Sequence, residues 1–216
     1  MLVGLCFYCI FFQKKENKIN TIIFLWLHNQ KFYRELQQKV VDRLDDNLST
    51  KLWADVGCST GLLTRLANKK GYRVIGYDIN NFSLWLAKLL SISRKNIYYK
   101  NEDFHKLQIK FDVVSATSLL SVIEDKKKAL SSLIHLLKDK NSILIIIEPS
   151  KNLSAKNVKK LINGFKSFWF YKGLLLWAKA REDKAIDDTI FENLDIKIDK
   201  KYYLDDMICV RYIQKI

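Results

Sequence analysis

The sequence predicts an α/β protein, a doubly wound and mostly parallel sheet flanked by helices. Three observations carry this. Between residues 51 and 148, strand-like apolar runs alternate with helical patterns, joined by loops of a few residues. Several runs are apolar on both faces, as in "SILIIIE" at 142–148, which suits strands buried between two helix layers. The first run, "LWADVGCSTG" at 52–61, meets an acid and then two glycines four apart. That is a sharp turn presenting backbone to a nucleotide-like ligand. A chain of 216 residues is long enough for one such domain with a full core.

The elements follow in order. Residues 1–27 hold two short apolar runs, "MLVGLCFYCIFF" and "IIFLWL", separated by the charged "QKKENKIN". The first falls well short of the roughly 20 residues a spanning helix needs. It also lacks the basic start and small-residue cleavage site of a signal peptide. Both runs therefore read as packing or interfacial segments. Cys6 and Cys9 form a CxxC, but no second pair or nearby His completes a zinc site, so no metal is expected. From 29 to 46, Phe32, Leu36, Val40 and Leu44 share one helical face.

Next come a strand at 51–56, a helix at 61–70 and a strand at 72–78, "YRVIGYD". A helix covers "NFSLWLAKLLSIS", followed by strands at "NIYYK" and "FDVVSA", a helix over 126–138 and the strand at 142–148. After Pro149 a basic helical stretch, 154–163, leads into the aromatic "FKSFWFYKGLLLWAKAR". Two strands, "LDIKID" and "MICVRYIQ", close the chain.

Composition narrows the partners. The net charge of +14 invites nucleic acid or an anionic membrane. Yet only seven of the 37 basic residues are Arg, the side chain suited to bidentate phosphate contacts, and the lysines are spread along the chain. A solvated basic surface is the reading adopted. The four cysteines, Cys6, Cys9, Cys58 and Cys209, are too few and scattered for a disulfide framework, so a reducing, cytoplasmic setting is expected.

The glycine turn discriminates among ligands. A triphosphate loop needs Lys and Ser/Thr after its last glycine, whereas Leu62 and Leu63 follow Gly61. A dinucleotide GxGxxG counted from Gly57 meets Ser59 and Leu62 where glycines belong, which weakens that reading without removing it. "DVGCSTG" resembles the first motif of the class I S-adenosylmethionine-dependent methyltransferases, with Ser59 in place of the middle glycine. Asp78 stands 17 residues after Gly61 at the end of the second strand, and "NEDFHKL" follows the third. The block from "FDVVSA" to "SILIII" matches the same family in order and length.

The resemblance implies a Rossmann-like sheet of seven strands with an antiparallel last strand, and S-adenosylmethionine as cofactor. It assigns Gly57, Cys58, Ser59 and Gly61 to the cofactor loop, and Asp55 to loop order and the methionine end. Asp78, with Ile79 beside it, would take the ribose hydroxyls, as an acid would also do in an NAD site. Asp103 would meet the adenine amino group with Phe104 against the ring, and Thr117 would end the fourth strand at the pocket. It divides the chain into an amino-terminal extension, 1–46, and a cofactor-binding domain, 47–216, with a substrate-side insertion at 150–185. Two departures stand out. "KDKNS" replaces the family's Pro-Gly-Gly turn, with Asp139 and Asn141 able to turn the chain. Ser121 and Val122 occupy the place of a His pair found in many small-molecule members.

The expected function is methyl transfer to a small-molecule or lipid-like acceptor by in-line displacement. A protein that binds the cofactor without turnover, as a binding or membrane-associated module, is the alternative, and RNA methylation a third. The chain's single proline rules out an (Asn/Asp)-Pro-Pro-aromatic run. Phe165, Phe168, Trp169, Phe170, Tyr171 and Trp177, set among basic residues ending at Arg181, read either as core packing or as an aromatic lid over an apolar acceptor, approached in solution or at a membrane surface. No catalytic base is assigned. His28, His105 and His135 read as structural or exposed, and Glu148 at the end of the fifth strand is a candidate for acceptor contact. Oligomeric state is left open.

Overall fold

The computed structural model describes residues 18–44, 51–162 and 168–216. Two amino-terminal helices come first, α1 (Lys18–His28) and α2 (Lys31–Asp42). Alternation then begins with β1 (Leu52–Val56), α3 (Leu62–Lys69), β2 (Arg73–Tyr77), α4 (Asn81–Leu89) and β3 (Ile97–Lys100). It continues with β4 (Val113–Thr117), α5 (Lys126–His135) and β5 (Ile143–Pro149). Two helices, α6 (Ala155–Ile162) and α7 (Phe168–Arg181), precede the closing strands β6 (Ile196–Tyr203) and β7 (Ile208–Lys215).

The seven strands form one sheet in the order β3-β2-β1-β4-β5-β7-β6. β1 to β5 are mutually parallel, and β7 runs antiparallel to both of its neighbours. This is the sheet the sequence predicts. Strand order reverses between β1 and β4, which opens a crevice at their carboxyl ends.

Period-two alternation explains why the central strands are apolar throughout. Trp53 joins Val74, Val113 and Ile145 in a core covered by α2, α3 and α7. Ala54 and Val56 point the other way, joining Val114, Ala116, Leu144 and Ile146 under Ala129, Leu130 and Leu133 of α5. The edge strands β3 and β6 mix exposed and half-buried positions, so "IYYK" and "IKIDKKYY" can carry charges that apolar inner strands cannot.

Side chains fix the starts of the two helices α4 and α5. Asn80 accepts the Ser83 N–H at 2.9 Å to begin α4, and Asp125 accepts the Lys128 N–H at 2.9 Å to begin α5. Two helices stop sooner than their apolar patterns suggest. α4 ends at Leu89, and α5 at His135 because the chain rejoins the sheet. Phe111 N–H donates to the Leu136 carbonyl at 2.9 Å, and Lys138 N–H donates to the Phe111 carbonyl at 3.0 Å. The glycine-free turn before β5 forms as expected, Asp139 Oδ1 accepting the N–H groups of Asn141 (2.8 Å) and Ser142 (3.1 Å).

Phe32, Leu36 and Val40 are buried on α2 as expected, while Leu44 follows the helix and is partly buried. "IIFLWL" lies on α1, where Leu27 is buried and Phe24 and Trp26 pack on the same core. Part of the run thus packs on the core, while Ile22 is 55 % exposed. Cys6, Cys9 and the first apolar run lie outside the described residues. Among those described, no helix is long and apolar enough to cross a membrane.

Candidate functional site

A cavity of about 590 Å³ lies at the carboxyl ends of β1, β2 and β4, within the roughly 300–1,000 Å³ typical of small-molecule sites. Its floor is the turn after β1. Gly57, Ser59 and Gly61 all have positive φ (69°, 48° and 72°), so the loop winds tightly enough to face its backbone inward. Serine tolerates this conformation at a cost of about 1–2 kcal/mol, which is how Ser59 stands where a third glycine would be easiest. The loop is pinned from β2: the N–H groups of Gly57 and Cys58 donate to the Tyr77 carbonyl at 2.8 and 3.0 Å. α3 then starts at Gly61, which offers no side-chain cap; Asp55 takes the Thr64 N–H, and the N–H groups of Leu62 and Leu63 remain for an anionic group of a ligand.

Three carboxylates stand at successive strand ends. Asp55 is 2 % exposed, and its two oxygens accept from the hydroxyls of Thr64 (2.6 Å) and Ser115 (2.9 Å). Ser115 in turn accepts from the Trp53 indole N–H at 2.8 Å. Burial pushes the Asp55 carboxyl up to about 6 against the pull of those hydroxyls, so a nearby ligand ammonium would favour its charged form. Asp78 accepts the Ser59 N–H and the Asn80 N–H, each at 2.8 Å, and burial raises its pKa. Asp103 caps a short 3-10 turn through the His105 N–H at 3.0 Å.

All of the cofactor residues expected from sequence except Gly61 line this cavity: Asp55, Gly57, Cys58, Ser59, Asp78, Ile79, Asp103, Phe104 and Thr117. Gly61 acts behind it. A Cβ there would lie 2.3 Å from the Tyr99 hydroxyl. Thr117 Oγ1 and Ser118 Oγ, both on the wall, are buried without a hydrogen-bond partner among the described residues.

The other half of the cavity comes from helices α1, α2 and α7. Thr21, Phe24, His28, Tyr33, Gln37, Trp177 and Arg181 face it, and most were not legible as site residues. His28 Nδ1 is 2.8 Å from Thr60 Oγ1, and its ring stacks on Tyr33 with centroids 5.0 Å apart. Burial, then the positive field of Arg65, pulls the imidazole down to about 4. Burial raises the Tyr33 phenol. His105 also lines the cavity, with Nδ1 2.8 Å from Ser132 Oγ, whereas His135 is exposed on α5. Val122 reaches the wall and Ser121 donates to the Ser118 carbonyl at 3.2 Å. Of the expected aromatic lid, Trp177 is buried here; Phe165 and the side chains of Phe168, Trp169, Phe170 and Tyr171 fall outside the described residues.

Glu148 differs from its expected role. It is fully buried and off the cavity wall, with Oε1 accepting the Leu120 N–H at 2.7 Å. Burial drives its carboxyl up from 4.5 to about 7, against hydrogen bonds from Ser121 and Leu120 and the field of Arg181. The folded state therefore keeps a proton that the unfolded chain loses, and stability declines as the pH rises from 4.5 through about 7. His28 acts in the opposite sense: its stabilisation is lost as the pH falls from 6.5 through about 4. Glu148→Gln keeps an acceptor for Leu120 and cannot ionise. Between about pH 5 and 7 the wild type should lose about 2 kcal/mol relative to this variant. Urea unfolding across that range measures it, and parallel stability curves would refute the assignment.

Comparison with known proteins agrees with this architecture. A family described as "Methyltransferase domain" matches residues 26–183. The ubiquinone biosynthesis O-methyltransferase of Nitrosomonas europaea is 27 % identical over 112 residues, 48 % of this chain and 46 % of that protein. The chain thus spans about half the length of that curated relative. Among solved structures, the magnesium protoporphyrin IX methyltransferase of Synechocystis PCC 6803 with bound SAH superposes with a TM-score of 0.66 at 18 % identity, covering 100 % of this chain and 95 % of that one. The plantazolicin methyltransferase BamL, in complex with a triazolic desmethylPZN analog and SAH, gives 0.65 at 13 % identity over 92 % and 91 %. The family match over most of the chain identifies it: this chain belongs to the methyltransferase domain family, and it shares the fold of the solved methyltransferases.

Proposed function

We propose that this cavity holds S-adenosylmethionine against β1, β2 and β4 and delivers its methyl group to a small-molecule acceptor lodged under α1, α2 and α7. The observation that carries this is the succession of Asp55, Asp78 and Asp103 at neighbouring strand ends, around a positive-φ loop that leads into α3. The residues suit the cofactor. Asp55 offers a carboxylate to an ammonium, the α3 N-terminus offers N–H groups to a carboxylate, and Asp78 keeps free lone pairs for ribose hydroxyls. Phe104 supplies an aromatic face and Asp103 an acceptor for an amino group. Thr117 Oγ1 and Ser118 Oγ are polar atoms awaiting a partner. When bound, the cofactor supplies a sulfonium-activated methyl group, so the protein's task is alignment and exclusion of water.

Acceptor chemistry falls to the helical half. His28 stays a neutral imidazole at physiological pH because burial holds its pKa near 4. In the tautomer that donates Nδ1–H to Thr60 Oγ1, Nε2 is left to accept a proton. It is a weak base, which suits an acceptor that gives up its proton easily. Tyr33 remains a neutral phenol able to donate. The curated relative is named an O-methyltransferase, and transfer to oxygen is the reading adopted here.

Calorimetry with S-adenosylhomocysteine, followed by incubation with methyl-labelled cofactor and separate metabolite, lipid and RNA fractions, tests both steps. Binding with label entering metabolites is the expected result. Absence of binding would overturn the site. Binding with no label in any fraction would favour a module without turnover, and label in RNA with steep salt dependence would favour nucleic acid.

A further inference from the structure

We infer that the acceptor half of the cavity binds an oxyanion through Arg181, so that the molecule methylated here carries a carboxylate or phosphate group. This names the acceptor class within the function proposed above and rests on it.

Arg181 ends α7 and faces the cavity, yet its residue is only 6 % exposed. A guanidinium carries five N–H donors and cannot shed its charge. Among the described residues, Nη1 reaches only the Ala180 carbonyl, at 3.5 Å, and Nε has no hydrogen-bond partner. The Phe24 ring lies 5.9 Å from the guanidinium carbon, an apolar neighbour that helps exclude water. Glu148 does not answer these donors. Its Oε1 is taken by Leu120 and its Oε2 is likewise without a partner. The two groups attract through the field but do not bond. A buried charged donor left open is unfavourable when nothing completes it, so the natural completion is a ligand.

The geometry of the donor selects the ligand. A free Nε–H beside the outer Nη group forms the edge of a fork that takes two oxygens of a carboxylate or phosphate. Phe24, Tyr33 and Trp177 line the same half, and Tyr33 packs edge-on against Trp177 with centroids 5.6 Å apart. They would bury the apolar body of the molecule while its charge meets Arg181. A cationic amine would be repelled there. The net charge of +14 also draws small anions towards the protein.

The test divides a small-metabolite extract of the source cells on an anion-exchange resin at pH 8 before the reaction. Full-length protein with methyl-labelled S-adenosylmethionine is then given the retained and unretained pools separately. Label should enter the retained pool, and Arg181→Gln should reduce that incorporation at least tenfold while S-adenosylhomocysteine binding stays within about twofold. Alkaline phosphatase treatment of the retained pool before the reaction separates the two oxyanions, since only a phosphate acceptor would then fail to take label. Label in the unretained pool, or undiminished incorporation by an Arg181→Gln protein that still binds the cofactor product, overturns the inference. Loss of cofactor-product binding by the wild type would instead strike the function on which the inference rests, as would a failure to label either pool.

Discussion

Gly61→Ala is expected to destabilise the fold by about 2–5 kcal/mol, read as a shift in the urea midpoint. Two costs add. The residue sits at φ 72°, ψ 32°, where a Cβ costs about 1–2 kcal/mol. The same Cβ would stand 2.3 Å from Tyr99 Oη and 2.9 Å from two ring carbons, an overpacking worth about 1–3 kcal/mol. Tyr99 cannot readily step aside. Its hydroxyl is 2.9 Å from Ser91 Oγ, and Gly76 on β2 admits the ring from the other side, where a Cβ would lie 2.8 Å from Cδ1. Combining Gly61→Ala with Tyr99→Leu should therefore remove the steric share and leave the backbone share. If Gly61→Ala proves nearly neutral, or its cost is unchanged in the Tyr99→Leu background, the close approach of loop and ring is refuted.

This wedge shows what sequence could and could not reveal. The glycine at 61 was legible as part of a ligand loop, because a glycine after a strand-end acid implies a tight turn. That its neighbour is Tyr99 was not legible, since the contact joins β3 to the loop across three intervening elements, α3, β2 and α4. The sheet itself was legible from inner strands such as Ile143–Pro149, which must be apolar on both faces. α1 was hidden for the opposite reason. Its core is a continuous run, Ile22 to Leu27, without the 3.6-residue period that marks an amphipathic helix.

The acids divide in the same way. Asp55, Asp78 and Asp103 were assigned through the family resemblance, and each lies at or just beyond a strand end. Glu148 occupies the same kind of position on β5. Alternation, however, places it with Leu144 and Ile146, towards Leu120 and away from the cavity. His28, Tyr33 and Gln37 carry no local signature. They acquire their place only when α1 and α2 close over the sheet, as the contact of His28 with Thr60 records.

Asp78→Ala is expected to weaken S-adenosylhomocysteine binding at least a hundredfold, about 3 kcal/mol or more. The carboxylate would accept both ribose hydroxyls, and each charge-assisted bond is worth about 1.5–3 kcal/mol. It also holds the loop, through Ser59 N–H on one oxygen and Asn80 N–H on the other, both at 2.8 Å. These two roles can be separated. A 2′-deoxy or 3′-deoxy analogue of S-adenosylhomocysteine should bind the wild type more weakly than the parent compound, because one hydroxyl loses its acceptor. In Asp78→Ala the same analogue and its parent should bind alike, since the deleted partner is already gone. If the variant still distinguishes the analogue as strongly as the wild type does, Asp78 serves only to pin the loop, and another group must hold the ribose.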